Sequence, residues 1–289
     1  SDLGAEDAWW LTSLHVEGLK LQQVAFTGGA ADIWKCFDQV IRAFLYGLLE
    51  LGGFQKRILQ AHSQFHEAAY NTVSGTLGLA HKRANGIPQG CPLSMIFVAF
   101  WLRPWVLLMR ANHSKPRLLA DDILVTTEGP HHEAQFRVAC ELTFQFLHDI
   151  GAKVAARKCY LCSSVRTTRQ RLRQHYWTEV SSLIPVVGHT RDLGSHLSIC
   201  SVMRGATITE RMRKAIALCK RLCRSGLSSE QKAKLVQTVI LPLALYGSES
   251  APVCDQTLGI LRSWIAKLLG PHSSLTSLDM KYTLGQDHK

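Results

Sequence analysis

Two adjacent acids, Asp121 and Asp122, lie between two short apolar runs, and this placement constrains the fold more than any other feature of the chain. Arg117 to Leu119 and Ile123 to Thr127 have strand character, so the acids fall at or beside the tight turn of a hairpin. Upstream, Gly86 to Ser94 reads GIPQGCPLS and leads into the most hydrophobic stretch, Met95 to Met109. Further upstream a third acid, Asp32, stands in ADIWKCFDQV, where a strand gives way to a helix. That helix carries Ile41, Leu45, Leu48 and Leu49 on one face until Gly52 and Gly53 break it.

Carboxylates from distant segments that converge in space suit a pair of hard cations, which take oxygen ligands. In two-metal phosphodiester chemistry one ion activates the attacking hydroxyl and the other stabilises the leaving oxygen. Composition fits an anionic partner: 289 residues carry a formal charge of +11, which favours nucleic acid or an anionic membrane surface without choosing between them. The apolar share of 46% is enough to build a sizeable core. Met95 to Met109 carries Arg103 and Pro104 and falls short of the roughly 20 residues a membrane span needs, so a buried helix is expected. Nine cysteines, an odd number spread along the chain, imply free thiols and a reducing compartment. The N-terminus is acidic and has no signal-peptide pattern, so no export signal is expected.

Further elements follow from punctuation and periodicity. A helix is predicted from Phe54 to about Tyr70 and a strand pair with turns over residues 71–86. Pro92 is placed in the first turn of the buried helix, and Pro130 and Gly151 bracket a helix carrying Phe136, Cys140, Phe146 and Ile150. From about Ser198 the chain reads as helical and basic. Thr207 and Glu210 are read as a capping box, Met212, Ile216, Cys219 and Cys223 as an apolar stripe, and Gly226 as a stop. Ser228 or Ser229 starts a helix that Pro242 should end, and an untidy tail follows Gly270. Two basic stretches stand out: Lys153, Arg157, Lys158, Arg166, Arg169, Arg171 and Arg173, then Arg204, Arg211, Arg213, Lys214, Lys220, Arg221 and Arg224. Cys159 and Cys162 form a CxxC with His175 and His189 downstream, a weak zinc pattern without a second close pair. His62 and His66 lack the glutamate of a zinc-protease helix.

An acid pair alone is usually an exposed turn, but its order with the other motifs resembles a known family, the reverse transcriptases, most closely those of non-LTR retrotransposons. DIWKCFD is similar to the first catalytic motif, GIPQGCPLS to the glycine-glutamine motif, LADD to the tyrosine-alanine-aspartate-aspartate box, and GAKVAARK (Gly151 to Lys158) to the lysine motif. DLGSHLS (Asp192 to Ser198) resembles the primer-grip hairpin, and LPLALYGSE (Leu241 to Glu249) the thumb region. The resemblance implies an α+β right-hand polymerase: an antiparallel palm sheet with packed helices over 31–198, a helical thumb over 199–270, a lead-in over 1–30 and a tail over 271–289. It implies RNA-directed DNA synthesis, with Asp32 and Asp121 holding two Mg²⁺ or Mn²⁺ ions, Asp122 assisting and the backbone carbonyl of Ile33 as a further ligand. Phe37 matches the steric gate against a ribose 2′-hydroxyl. Gln89 and Gly90 would contact the incoming nucleotide and template, and Lys158 would give a proton to the leaving pyrophosphate. The implied partners are an RNA template, a DNA primer and deoxynucleoside triphosphates, with no membrane, in nucleus or cytoplasm.

The chain also departs from the pattern. Only 31 residues precede Asp32, with Lys20 the one basic residue among them, so truncation at the fingers is expected. Thr27, Gly28, Gly29 and Ala30 replace an apolar strand, and Leu119 stands where an aromatic is usual. No endonuclease or ribonuclease H segment is recognisable. A catalytically impaired remnant that only binds nucleic acid is the main alternative. An unrelated metal-dependent phosphohydrolase would need a further ligand cluster.

Overall fold

The strand that ends at Asp32 is made of small residues, and that composition decides how the first half of the molecule packs. A computed structural model describes residues 4–67, 72–73, 76–77, 85–200, 205–248 and 251–270. Its packing divides the chain into two units, Ser1–Val187 and Gly188–Lys289. The first runs α1 (Ala5–Leu21), β1 (Phe26–Asp32), α2 (Cys36–Gln39), α3 (Arg42–Leu51), α4 (Lys56–Glu67), β2 (Thr72–Val73), β3 (Thr76–Leu77) and α5 (Ser94–Ala111). It continues with β4 (Lys115–Leu119), β5 (Asp122–Glu128), α6 (His132–Asp149), β6 (Tyr160–Ser163), α7 (Arg166–Gln174), β7 (Tyr176–Trp177), β8 (Ser182–Leu183) and β9 (Val186–Val187).

Five strands form the main sheet in the order β4-β5-β1-β6-β9, antiparallel except for the β6–β9 pair. The expected α+β class is borne out, and β1 is its central strand. Glycine is tolerated there because neighbours come too close for a side chain. A Cβ on Gly29 would stand 2.8 Å from Leu161 Cδ2, 2.9 Å from Phe136 Cζ and 2.9 Å from the Tyr160 carbonyl. The two glycines thus bring α6 and β6 close onto β1.

Over one face of the sheet lie α5 and α6, whose Phe97, Trp101, Trp105, Phe136 and Leu147 are fully buried with Ala31, Ile33 and Ile123. Burying such side chains contributes roughly 1.5–3 kcal/mol each. The Trp105 indole donates to Thr143 Oγ1 at 3.0 Å, so its N–H is satisfied in the core. By length and composition α5 is able to cross a membrane, yet Phe97, Val98, Trp101, Leu102, Trp105 and Met109 all lie in this core. Pro92 precedes α5 instead of sitting in its first turn, which starts at Ser94. There the Ser94 hydroxyl donates to the Pro88 carbonyl at 2.7 Å, so the loop itself fixes where the helix begins.

A buried polar chain ties the far end of β1 to its neighbours. The Thr27 hydroxyl donates to Ser163 Oγ at 3.0 Å, which donates to the Phe26 carbonyl at 2.9 Å. The Thr27 hydroxyl also lies 2.6 Å from His132 Nδ1, so the imidazole closes the chain. Beside it, Glu133 accepts from Thr168 at 2.8 Å and pairs with Arg137 and Arg171, which holds its carboxyl down at about 2. Part of the first basic stretch is therefore structural: Arg171 answers Glu133, and Arg169 donates to the carbonyls of Ser163 and Ser164 at 2.6 and 3.0 Å.

The second unit comprises β10 (His189–Asp192), β11 (Ser195–Ser198), α8 (Ala206–Cys223), α9 (Ser229–Leu235), a π-helical turn over Val236–Ile240, α10 (Leu241–Leu245) and α11 (Asp255–Leu269). The expected stripe is buried at Met212, Ile216 and Cys219, packed with Ile240, Leu261 and Ile265. Two boundary signals differ. Thr207 lies inside α8, which Gly205 caps, and its hydroxyl contacts His196 Nδ1 at 3.1 Å instead of closing a box with Glu210. Pro242 begins α10 instead of ending a helix, because the wider π turn before it relieves the ring's clash with the preceding turn. The capping box that does form is Ser228 with Gln231. The β10–β11 hairpin covers Asp192 to Ser198, and Arg211 Nη2 donates to the Gly194 carbonyl at its tip at 2.6 Å. Arg204, Glu249, residues 74–75 and 78–84, the tail after Gly270 and the side chain of His66 lie outside the described residues.

Two outcomes test this account. Gly29→Ala should destabilise the chain by about 1–3 kcal/mol through overpacking, while Gly47→Ala, at an exposed position of α3 with nothing within 4 Å of the new methyl, should stabilise it by up to about 1 kcal/mol. Urea denaturation reads both. Burial lowers the pKa of His15, His132 and His196 below the ordinary 6.5. Their neutral forms therefore stabilise the fold above that value, and stability is lost as pH falls through the depressed folded values. Thermal melts from pH 7.5 to 5 should show a declining midpoint, with a shallower slope in His132→Gln.

Candidate active site

Register does the first work. β1 and β5 pair so that Asp32 stands opposite Asp122 and Ala31 opposite Ile123. Ala25 accepts from Gly129 across the same pair of strands at 2.8 Å, so odd-numbered residues of β1 bond toward β5 and even-numbered ones toward β6. Asp32 and Asp122 are therefore a non-hydrogen-bonded pair, the arrangement with the closest side chains, Cα atoms about 4.5 Å apart. Both project from the face opposite Ala31, Ile33 and Ile123. The two-residue turn Ala120–Asp121 closes the β4–β5 hairpin and sets Asp121 beside this pair, with Ala120 in the left-handed region at φ +52°.

Like charges directly opposed on a sheet destabilise it. Positive charge is at hand: Lys158 Nζ lies 3.6 Å from Asp32 Oδ1. The buried Cys36 thiol is pushed up to about 12, first by burial and then by Asp121 and Asp32, so both carboxylates act on one point. An opposed carboxylate pair with a third acid on the adjoining turn is an oxygen donor set suited to Mg²⁺ or Mn²⁺, which would keep phosphate and water among their ligands. Among the described residues, no group of three His, Cys, Asp or Glu side chains is already gathered tightly enough to hold an ion by itself.

Ile33 follows Asp32 in a bridge to Val154, and strand alternation turns its carbonyl away from that bridge, toward the β5 side where Asp121 lies. Phe37, on α2, packs half-buried against the core, and its carbonyl accepts from Ile87 N at 2.8 Å. Gln89 and Gly90 are exposed in the loop before α5, Gly90 at φ +92°. That loop is laced to the turn after α2: Gly86 N donates to the Val40 carbonyl at 2.8 Å, and a Cβ on Gly86 would meet the Asp38 carbonyl at 3.0 Å. The structure thus brings Asp32, Asp122, Asp121 and Lys158 together and sets the GIPQG loop against the segment carrying Phe37. Cys159 Sγ lies 3.4 Å from Asp32 N and Cys162 packs under Gly28, and among the described residues neither belongs to a group of three His, Cys, Asp or Glu side chains that could hold a metal ion.

Sequence reasoning missed Arg42. Its side chain is buried and donates from Nη1 to the carbonyls of Asn85 and Gly86 at 3.2 and 3.0 Å, holding the start of the loop. Because both acceptors are backbone, no spacing of residue types marks the contact.

The family model described as reverse transcriptase (RNA-dependent DNA polymerase) matches residues 12–190. Among solved structures, telomerase from Candida tropicalis in complex with a TWJ fragment of telomeric RNA is similar at 14% identity and TM-score 0.45, covering 98% of this chain and 53% of that one. The corresponding complex from Candida albicans matches at 14% identity and TM-score 0.42, covering 98% and 54%. Apo telomerase from Candida tropicalis matches at 15% and 0.41, covering 92% and 49%. The chain spans about half the length of these structures. No curated protein matches it.

Replacing Arg42 by Met should cost about 1–3 kcal/mol, because two loop carbonyls lose a charged donor. Limited proteolysis should cut residues 85–91 faster in that variant, with Arg42→Lys intermediate.

Proposed function

Because this chain belongs to the reverse transcriptase family, we propose that it carries the palm and thumb of an RNA-directed DNA polymerase of the non-LTR retrotransposon kind. Such an enzyme extends a primer 3′-hydroxyl with deoxynucleoside triphosphates on an RNA template. What supports the reading is the close, opposed placement of Asp32 and Asp122 beside Asp121, with the Lys158 ammonium in reach. Two divalent ions, Mg²⁺ or Mn²⁺, would when bound activate the primer hydroxyl and stabilise the departing pyrophosphate. Asp32 and Asp121 would hold them, with Asp122 and the Ile33 carbonyl completing the donors.

The remaining roles fall to this chain's own groups. Lys158 gives a proton to the leaving pyrophosphate, whose charge develops as the bond breaks. Gln89 and Gly90, in an exposed loop, contact the incoming nucleotide and the template base. Phe37 excludes a ribose 2′-hydroxyl by the edge of a ring that the core holds still. Exposed lysines and arginines of the basic stretches that are not used internally bind the nucleic-acid backbone, so affinity falls steeply with salt. The reduced thiols fit a nuclear or cytoplasmic setting.

Primer extension on an RNA template, with Mg²⁺ and with Mn²⁺, tests the proposal. Asp121→Asn should lower incorporation at least about a hundredfold, as should Lys158→Ala, while neither weakens binding to the primer–template duplex. Salt-sensitive duplex binding with no incorporation by the unaltered chain would replace the enzyme reading by one of nucleic-acid binding alone.

A further inference from the structure

The segment Lys153 to Lys158 reaches Asp32 along an irregular edge, and its irregularity has a chemical explanation. Residues 153–155 run antiparallel to residues 32–34, with Ile33 facing Val154. In a regular ladder of this register Asp32 would exchange two hydrogen bonds with Ala155, and Trp34 two with Lys153. One bond of each exchange is direct: Ala155 N donates to the Asp32 carbonyl at 2.8 Å, and Trp34 N donates to the Lys153 carbonyl at 2.9 Å.

The reciprocal bonds run through side chains. At one rung Asp32 N donates to Cys159 Sγ at 3.4 Å, and that thiol donates in turn to the Ala155 carbonyl at 3.5 Å. At the other, Lys153 N donates to Gln39 Oε1 at 2.8 Å, and Gln39 Nε2 donates to the Trp34 carbonyl. A thiol and a primary amide are each inserted between a backbone N–H and a backbone C=O, acting as donor and acceptor at once. Two inserted groups splay the segment from the end of β1 by the width of a side-chain atom or group without leaving a backbone polar group unsatisfied. The chain then turns, with Lys158 N donating to the Ala155 carbonyl at 2.8 Å, and returns the Lys158 ammonium to 3.6 Å from the Asp32 carboxylate.

We propose that Gln39 and Cys159 are positioning residues for Lys158: by completing the two split rungs they fix the 153–158 segment, and hence the ammonium, relative to Asp32. The inference rests on the polymerase reading for its catalytic consequence and on the hydrogen-bond geometry alone for its mechanical one. Neither residue touches a reacting group.

Gln39→Leu removes the donor and the acceptor together, whereas Gln39→Glu keeps the acceptor for Lys153 and loses the donor to Trp34. Cys159→Ser keeps both functions in a shorter group, and Cys159→Ala removes both. Amide hydrogen exchange of the full chain should accelerate at least about tenfold at Lys153 in Gln39→Leu and at Asp32 in Cys159→Ala, less in Gln39→Glu and least in Cys159→Ser. Incorporation turnover should fall about tenfold in Gln39→Leu and Cys159→Ala through misplacement of Lys158, at unchanged KM for the triphosphate. Cys159→Ser, which keeps both hydrogen bonds, should retain most of the unaltered turnover. Unchanged exchange at Lys153 and Asp32 in the disruptive variants overturns the proposal, whether or not the chain polymerises. Accelerated exchange with unaltered turnover overturns the catalytic part and leaves the polymerase reading standing. If Asp121→Asn has no effect on incorporation the polymerase reading fails, and exchange alone then decides the role of the two side chains.

Discussion

The antiparallel register between β1 and β5 is the constraint from which the rest of the first unit follows. With a side-chain period of two, it puts Ala31, Ile33 and Ile123 on the face covered by α5 and α6 and Asp32 and Asp122 on the other. A slip of one residue would bury carboxylates against Trp101 and Phe136 and expose the apolar set, an exchange the core cannot absorb. The register is held at its far end by the Thr127 hydroxyl, which lies 3.3 Å from the Thr27 carbonyl and 2.6 Å from the His132 carbonyl, and through its middle by the close packing of neighbours around Gly28 and Gly29. Buried aromatics thus select the strand alignment that opposes two like charges, and the repulsion is concentrated where a cation can relieve it.

Much of this was legible in the chain. The acid pair between strand-like runs marked the hairpin, and the turn fell at Ala120–Asp121, the first two of the three residues flanked by the runs. GIPQG was recognisable because a motif of backbone turns leaves glycine and proline at fixed positions. The weak spots were of one kind. Gly28 and Gly29 read as a poor strand because propensity measures a side chain's fit to a sheet, whereas here its absence is what packs. Pro242 read as a stop because a π turn depends on contacts beyond the local sequence. Thr207 read as a cap because its partner, His196, lies across the unit's own fold.

Backbone contacts account for the residues that sequence reasoning passed over. Arg42 and Gln39 went unread and Cys159 was read only as half of a weak zinc pattern, because all three act on carbonyls or amides, which every residue possesses, so no pairing of side-chain types betrays that role. The basic stretches show the converse error. Arg169 and Arg171 sit in a run without acids and seemed available to a polyanion, yet one serves strand-end carbonyls and the other Glu133 from a different helix. Charge counted along the chain overstates the charge offered to a ligand, and the exposed lysines are its better measure.

Among the described residues, two of the six non-glycine positions with left-handed backbone lie beside the acids. Lys35 at φ +48° follows Asp32 within three residues, and Ala120 at φ +52° immediately precedes Asp121. Left-handed backbone costs about 1–2 kcal/mol at such residues and persists only where surrounding structure over-determines it. Here the determinants are on either side of the acids: β1 ends in a buried sheet, Gln39 and Val40 anchor the segment after Lys35, and the Leu119–Asp122 pairing closes the turn around Ala120. Glycine at these two positions would relax the backbone but leave the acids free to turn away from one another. Rigid residues in unfavourable conformations hold them in an arrangement that electrostatics alone would open.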